Sequence, residues 1–475
     1  MRARIRQLPA RVLARMILSG IMCAPAAAQC EIVELVGDGP RDGFGYSVHA
    51  SDSRIVLSRK TLLNGEEVGA AYILERTGAT WSGVATLVPN DAQPGTGFGH
   101  AMALDADRLV GGAPFDDTPE SGAGSAYVFE RQANGNWSQV AKLLAEDGSA
   151  YDNFGYSVAI SGDYVVVGAP YDGPGSAYVF ERQPNATWPQ VQKLTASDAQ
   201  AGDEFGRSVA ISADVIVVGA WCDDDLGWAS GSAYVFERAT EGTWSEAAKL
   251  LPSDGHFLMD FGYSVAVSPD LTLIGALGAD GQVQSSGAAY VFERTGDGSW
   301  LEVAKLFASD GANSDIFGIA VALEGDVAVI GARGDDDHGQ ASGSAYVFVH
   351  AEDGTWSEAA KLVPDDGEPW DHFGRAVAVS GKIGVIGTYP YDVNEPWKPG
   401  KAYMYAVGPD EDGDGVMDAC ECPGDLNHDW IVGHSDLGMF LASWQLDDGG
   451  DCDGDGDTDH ADLGILLANW ANICP

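Results

Sequence analysis

Phe154-Gly155-Tyr156-Ser157-Val158-Ala159-Ile160 alternates in the way a half-buried strand does. Ser161-Gly162-Asp163 is a tight turn. Tyr164-Val165-Val166-Val167-Gly168-Ala169 is a β-branched run suited to a strand covered on both faces. Pro170 to Gly175 reads as a loop, and Ser176 to Arg182 alternates again. Asn185 to Thr187 turns the chain, and Trp188 to Leu194 makes a fourth strand. Nearly the same order of residues follows Phe44-Gly45, Phe98-Gly99, Phe205-Gly206, Phe261-Gly262, Phe317-Gly318 and Phe373-Gly374, at intervals of 54, 56, 51, 56, 56 and 56 residues along the seven pairs. A period of that length means stacked supersecondary units, here four-stranded antiparallel blades. Gly168-Ala169 returns as Gly112-Ala113, Gly219-Ala220, Gly275-Ala276 and Gly331-Ala332, where large side chains would push neighbouring blades apart.

The two ends of the repeat region predict its topology. The seventh repeat has Phe373-Gly374, Val385-Ile386-Gly387 and Ala402 to Tyr405, but no fourth strand of the Trp…Lys-Leu kind. Glu31 to Asp38 resembles Ala360 to Asp366, so the missing strand lies at the other end of the chain. A ring whose first strand completes its last blade explains this and pairs the open edges. The expected fold class is all-β, a seven-bladed β-propeller closed by the N-terminal strand, followed by a small α-helical calcium domain.

The chain has 475 residues and a formal net charge of −45, which repels nucleic acid and anionic lipid. Arg2, Arg4, Arg6, Arg11 and Arg15 precede a short apolar stretch, Met16 to Cys23, and Ala26-Ala27-Ala28, so residues 1–28 read as a signal peptide. No later stretch is apolar for long enough to span a bilayer, and a secreted, extracellular or cell-surface protein is expected. Cys30, Cys222, Cys420, Cys422, Cys452 and Cys474 remain after cleavage, with pairings that sequence does not choose among. Cys222, alone in a loop, is expected to stay reduced.

The Phe-Gly…Gly-Ala-Pro pattern, as in Phe154-Gly155 with Gly168-Ala169-Pro170, resembles the FG-GAP repeats of the integrin-α propeller. It is closer to the short bacterial variety ending in Ser-Ala-Tyr-Val-Phe-Glu-Arg, and covers residues 29–407. The resemblance implies seven blades. Integrin-type repeats often hold calcium in a long Asp-rich loop between the first and second strands. Ser161-Gly162-Asp163 and Ser212-Ala213-Asp214 are too short to encircle an ion, so calcium is not expected there. Trp81, Trp137, Trp188, Trp244, Trp300 and Trp356 recur at one place in the repeat, which favours inter-blade packing over a sugar-stacking belt.

In an up-and-down blade the loops after strands two and four share one face. They are long, variable and acidic, as in Phe115-Asp116-Asp117, Trp221 to Asp225 and Gly334 to Asp337, with Tyr389 to Trp397 the bulkiest. That face is the expected place for a protein or glycan ligand; the plainer reading is soluble turns. Arg333-Gly334-Asp335 spells an integrin-recognition tripeptide, but Arg333 merely fills a variable slot.

From Asp410 onward there is no Lys or Arg, and three windows fit a calcium loop with ligands at positions 1, 3, 5, 7, 9 and 12. They are Asp410, Asp412, Asp414, Val416, Asp418, Glu421; then Asp425, Asn427, Asp429, Ile431, Gly433, Asp436; then Asp451, Asp453, Asp455, Asp457, Asp459, Asp462. Position 7 gives a backbone carbonyl, which suits Val416 and Ile431. Trp430 replaces the usual glycine at position 6, so the middle site is expected to be the weakest. Asp436 to Trp444 and Asp462 to Trp470 are near copies with one apolar face each. This duplicated loop-helix, residues 424–475, resembles a type I dockerin (an EF-hand-like calcium domain), and the resemblance implies Ca2+ and a cohesin-like or other surface partner. Residues 408–423 resemble a thrombospondin type 3 calcium linker.

No His-Glu-x-x-His, Gly-x-Ser-x-Gly or Walker loop is present. The leading expectation is a secreted, non-catalytic binding, adhesion or scaffold protein, tethered through its calcium-dependent tail. The alternative is a polysaccharide-degrading hydrolase delivered by the tail, for which Asp371 and His372 beside Trp370 are the oddest residues, although Asp152 and Asp260 fill comparable slots. A third reading is an envelope spacer.

Overall fold

The computed structural model describes residues 31–408, except 38, 40, 41, 52, 78, 79, 352 and 391–397. The signal peptide, the calcium windows, the dockerin-like helices, most of the loop from Tyr389 to Trp397 and every cysteine but Cys222 lie outside the described residues.

Alternation and turn chemistry produce seven four-stranded antiparallel sheets. In blade 3 the strands are Ser157–Ser161, Tyr164–Ala169, Ser176–Glu181 and Gln190–Leu194, running from the axis outward. Two boundaries differ from the sequence expectation. Trp188 is followed by Pro189, which has no N–H to give the ladder, so the outer strand starts at Gln190. Phe154 precedes the inner strand in blade 3, and in blades 3 to 7 the Phe makes a parallel bridge to the preceding blade, as Gly124 to Phe154. The third and outer strands share a bulge in six blades, as at Val179/Phe180, which tightens the local twist.

The blades meet through their glycines. Gly155 has φ +94°, and a Cβ there would lie 2.3 Å from the Ser125 carbonyl oxygen of blade 2. Phe154 is buried edge-on to Tyr178 and Phe180, with centroids 5.4 and 5.9 Å away. Trp137, Trp188, Trp244 and Trp300 are buried. Trp244 packs among Val166 and Val179 of blade 3 and Ile216 and Val218 of blade 4, so it is a wedge between blades and no sugar platform.

The ring closes as expected. Glu31–Val36 is the outer strand of blade 7, with Glu34 opposite Tyr403 and Leu35 opposite Ala402. Leu35 is 1% exposed, packed with Phe44, Ile55 and Leu57 of blade 1 and Val385 and Met404 of blade 7. Blade 1 departs from its sisters: Arg54–Leu63 and Glu66–Thr77 are long strands joined at Asn64-Gly65, both at positive φ. Among the described residues there is no helix, and no helix long and apolar enough to cross a membrane.

Candidate functional site at the axial mouth

Each inner strand begins at its Phe-Gly pair, as in Phe261–Val267 and Phe317–Glu324, or shortly after it, so the residue following the glycine stands at one mouth of the axial channel. Around the ring these residues are Tyr46, His100, Tyr156, Arg207, Tyr263, Ile319 and Arg375, lining an open cavity of about 220 Å3. The chain is turned into this position by the residue before each Phe, which always has positive φ: Gly43, Gly97, Asn153, Glu204, Asp260, Ile316 and His372. For Ile316 that is a strained conformation, held by the scaffold around it. The loops after the second and outer strands interlock on this same face: Asn153 N–H donates to Gly122 O at 3.1 Å, and Cys222 N–H to Asp203 O at 3.3 Å.

The mouth is an aromatic ring threaded by guanidinium groups. Arg207 lies 4.5 Å from the ring centroids of both Tyr156 and Tyr263 and 5.8 Å from Trp221. Arg375 lies 4.7 Å from Tyr46 and donates to its hydroxyl at 3.1 Å. Among the described residues no ion pair joins Arg207, Arg333 or Arg375 to a carboxylate, in a chain of net charge −45. Burial, and then Arg375, lowers the pKa of Arg333. The His100 ring lies tilted against Tyr156, centroids 4.5 Å apart, and donates from Nδ1 to the Tyr156 carbonyl at 3.0 Å. Burial and the two arginines bring its pKa down to about 4, so it is neutral at pH 7. A second tier sits beside the first: Tyr389 against Tyr46, Phe115 against His100, Tyr171 against Tyr156. All three rings are exposed.

The acidic loops do a different job. In blade 6, Lys361 Nζ lies 2.6, 3.0 and 2.7 Å from Asp310, Asp335 and Asp337, and 5.4 Å from the Tyr346 ring. These three carboxylates are the cluster close enough to share a metal ion, and the ammonium stands among them as their cation. The residues therefore fit an internal lysine and not a resident divalent ion. Blade 3 repeats the device with Lys193, Asp147, Asp172 and Tyr178, and blade 7 with Lys401, Asp366 and Tyr403. The following aspartates cap their own loops: Asp117 takes Gly122 N–H, Asp224 takes Ala229 N–H and Asp336 takes Ala341 N–H. Lys361→Met is expected to cost about 2 kcal/mol, a buried-pair loss discounted for the half-exposed Asp310 and Asp337. Thermal unfolding by circular dichroism measures it, and an unchanged Tm would show the lysine to be incidental.

The other sequence candidates fall into place. Asp335 of the Arg-Gly-Asp tripeptide is buried and accepts from Tyr346 Oη at 3.1 Å, so the tripeptide is not displayed. Asp371 takes Glu368 N–H at 3.0 Å, as Asp152 takes Ser149 N–H at 2.6 Å; both are loop caps. His372 faces the Arg333 carbonyl at 3.2 Å, with its pKa lowered by burial. Cys222 is a free, half-buried thiol whose pKa burial and then nearby carboxylates push up to about 12. The calcium windows lie outside the described residues.

Asp260 is different: burial alone pushes its carboxyl up to about 6. A raised folded pKa in an acid costs stability above that pKa, and the cost is relieved as pH falls from about 6 toward the unfolded value. Asp260→Asn, which also suits positive φ, is expected to unfold a few degrees higher than the parent at pH 7 and together with it at pH 4. A constant gap across a Tm-against-pH series would contradict this.

Sequence reasoning missed the mouth. Its signal was present as the single variable slot after an otherwise constant Phe-Gly, filled by Tyr, His, Arg or Ile.

The FG-GAP repeat pattern matches residues 81–129, 137–180, 188–236, 244–292, 300–348 and 356–405. Each match runs from the outer strand of one blade to the third strand of the next, and so contains one inter-blade contact of the kind described. The chain is similar to integrin alpha-7 of Mus musculus, 28% identical over 165 residues, 31% of this chain and 13% of that protein. It is similar to integrin alpha-3 of Cricetulus griseus, 27% identical over 194 residues, 36% and 18% respectively. The chain thus spans less than a fifth of the length of these relatives. Among solved structures it is similar to the Pseudomonas aeruginosa periplasmic gluconolactonase PpgL, with 13% identity, a TM-score of 0.46, and coverage of 72% of this chain and 95% of that one. A likeness that loose carries no argument about activity. Six matched repeats covering more than half of the residues, laid end to end on seven closed blades, make the chain a member of the FG-GAP repeat family.

Proposed function

We propose that this protein is a secreted, non-catalytic recognition propeller that binds its ligand at the axial mouth. The observation behind the reading is the aromatic and guanidinium ring on the loop face. There the seven blades supply unlike residues to a common cavity. Polar donors converging in a concave, aromatic-lined site are what small-ligand recognition uses. The same face also exposes Leu226, Trp228, Phe257 and Leu258 side by side, with Leu258 N–H donating to Trp228 O at 2.7 Å. Apolar patches of this sort favour a partner surface.

The route of the chain supports a tethered role. Val407 N–H donates to Lys382 O, at the turn beyond Ser380, so the last described strand leaves on the face opposite the mouth. A tail held elsewhere would leave the mouth turned outward. In this proposal the windows Asp410 to Glu421, Asp425 to Asp436 and Asp451 to Asp462 bind Ca2+ and engage a cohesin-like or other surface protein. Calcium titration of the full chain by calorimetry, against Asp429→Ala with Asp455→Ala, tests that half: heat of binding lost in the double variant supports it, and no heat in the parent refutes it.

The experiment for the mouth is an array of glycans and proteins probed with the full chain and with Tyr263→Ala. Binding that falls at least tenfold in the variant is expected; binding indifferent to Tyr263 would refute the site. The hydrolase reading draws on the carboxyls of Asp260 and Asp315, both pushed up to about 6 chiefly by burial. Reducing-sugar release that disappears in Asp260→Asn would replace the binding reading with it.

A further inference from the structure

The charge of the mouth runs against the charge of the chain. Arg207 and Arg375 come from blades 4 and 7, line the same cavity and both act electrostatically on His100. Tyr156 and Tyr263 hold Arg207, and Tyr46 holds Arg375; Arg375 gives one N–H to Tyr46 Oη, and the remaining N–H groups are donors for a ligand. Arg333 stands within electrostatic reach of Arg375, without a carboxylate among the described residues. Gathering unpaired guanidinium groups in a half-buried ring is costly unless an anion completes it. Glu204, three residues before Arg207, instead accepts from Trp221 Nε1 at 2.7 Å, and Asp335, two residues after Arg333, is held by Lys361.

We infer that the mouth takes a carboxylate carried on a sugar ring, a uronate end group being the simplest case, with Arg207 and Arg375 supplying N–H donors. This rests on the recognition reading above and names its ligand class. The planar fork of arginine matches a carboxylate. The cavity of about 220 Å3 admits one ring and little more. The exposed rings of Phe115, Tyr171 and Tyr389 stand at its rim to cover an apolar sugar face. A long polyanion is disfavoured, because the surface beyond the mouth is acidic and repels it within a Debye length of about 8–10 Å.

The test is calorimetric titration of the full chain with D-glucuronate, D-glucose and sodium sulfate. Glucuronate is expected to bind at least tenfold more tightly than glucose and than sulfate. Arg207→Met and Arg375→Met are each expected to weaken glucuronate at least tenfold with Tm and circular dichroism unchanged. Arg207→Lys, which keeps the charge and loses the fork, should fall between. Arg182→Met, on an outer ion pair with Glu130, should have no effect. Equal affinity for glucose would overturn the carboxylate inference while leaving a glycan-binding mouth. Sulfate binding as tightly as glucuronate would reassign the site to tetrahedral anions. No binding of glucuronate refutes the inference, and array binding sensitive to Tyr263 then still decides the recognition reading on its own.

Discussion

Leu35→Asp should unfold this propeller at a temperature about five degrees or more below the parent, and deletion of residues 31–36 should leave it aggregated. Glu31–Val36 is the one strand of the ring that comes from a distant part of the chain. It satisfies the outer edge of Lys401–Ala406, which otherwise presents unpaired N–H and C=O groups to any passing strand. Its Leu35 is 1% exposed between blades 1 and 7. A carboxylate there loses the transfer energy of the leucine, about 1.5–3 kcal/mol, and adds a charge with no cation provided for it. A total near 4–5 kcal/mol corresponds to roughly 5–6 °C in a domain of this size, whose unfolding entropy is about 0.8 kcal/mol/K. The remaining blades are each complete, so the damage is specific to closure, and it is visible as loss of the Arg375 to Tyr46 contact across the seam. A synthetic peptide of residues 31–36 added to the deletion variant during refolding should restore solubility by pairing with the free edge. A Tm for Leu35→Asp within two degrees of the parent would mean the ring is held shut by something else.

What the sequence disclosed and what it hid divide along a physical line. Blade number, strand order and the borrowed strand were legible, because they depend on period-two alternation and on a pattern repeated seven times. The small Gly-Ala pairs were legible for the same reason. The mouth was not, because Arg207 stacks on Tyr156 and Tyr263 from neighbouring blades, 51 and 56 residues away in sequence. No local pattern announces a ring assembled from single positions one repeat apart. The acidic loops were legible in part. Asp336 caps its own loop, in line with the plainer reading of soluble turns, whereas Asp335 is buried against Lys361 and Tyr346. A lysine in the outer strand, 26 residues further on, decided the role of Asp335.

Gly219→Ala is expected to cost about 3 kcal/mol or more, and Gly219→Val to abolish folding. A Cβ at this position would lie 1.9 Å from the Gly262 carbonyl oxygen of the next blade and 2.4 Å from Ser208 Oγ. The obstacle is backbone, so no rotamer change relieves it. Gly112 and Gly331 face the same 1.9 Å approach to Gly155 and Gly374. Gly296 is the control: a Cβ there meets nothing within 4 Å and the φ is ordinary, so Gly296→Ala should be neutral or slightly stabilising. Thermal unfolding of the three variants reads the contrast, with a loss of roughly 4 °C or more for Gly219→Ala. The variant that still folds is the more informative one. Gly262 is followed by Tyr263, so a blade pushed outward at Gly219 also lifts Tyr263 from Arg207, which it meets at 4.5 Å. Ligand affinity at the mouth should therefore fall in Gly219→Ala even below its melting transition, and stay intact in Gly296→Ala. Equal affinity in the two would mean that the spacing between blades, which the glycines set, does not govern the geometry of the site.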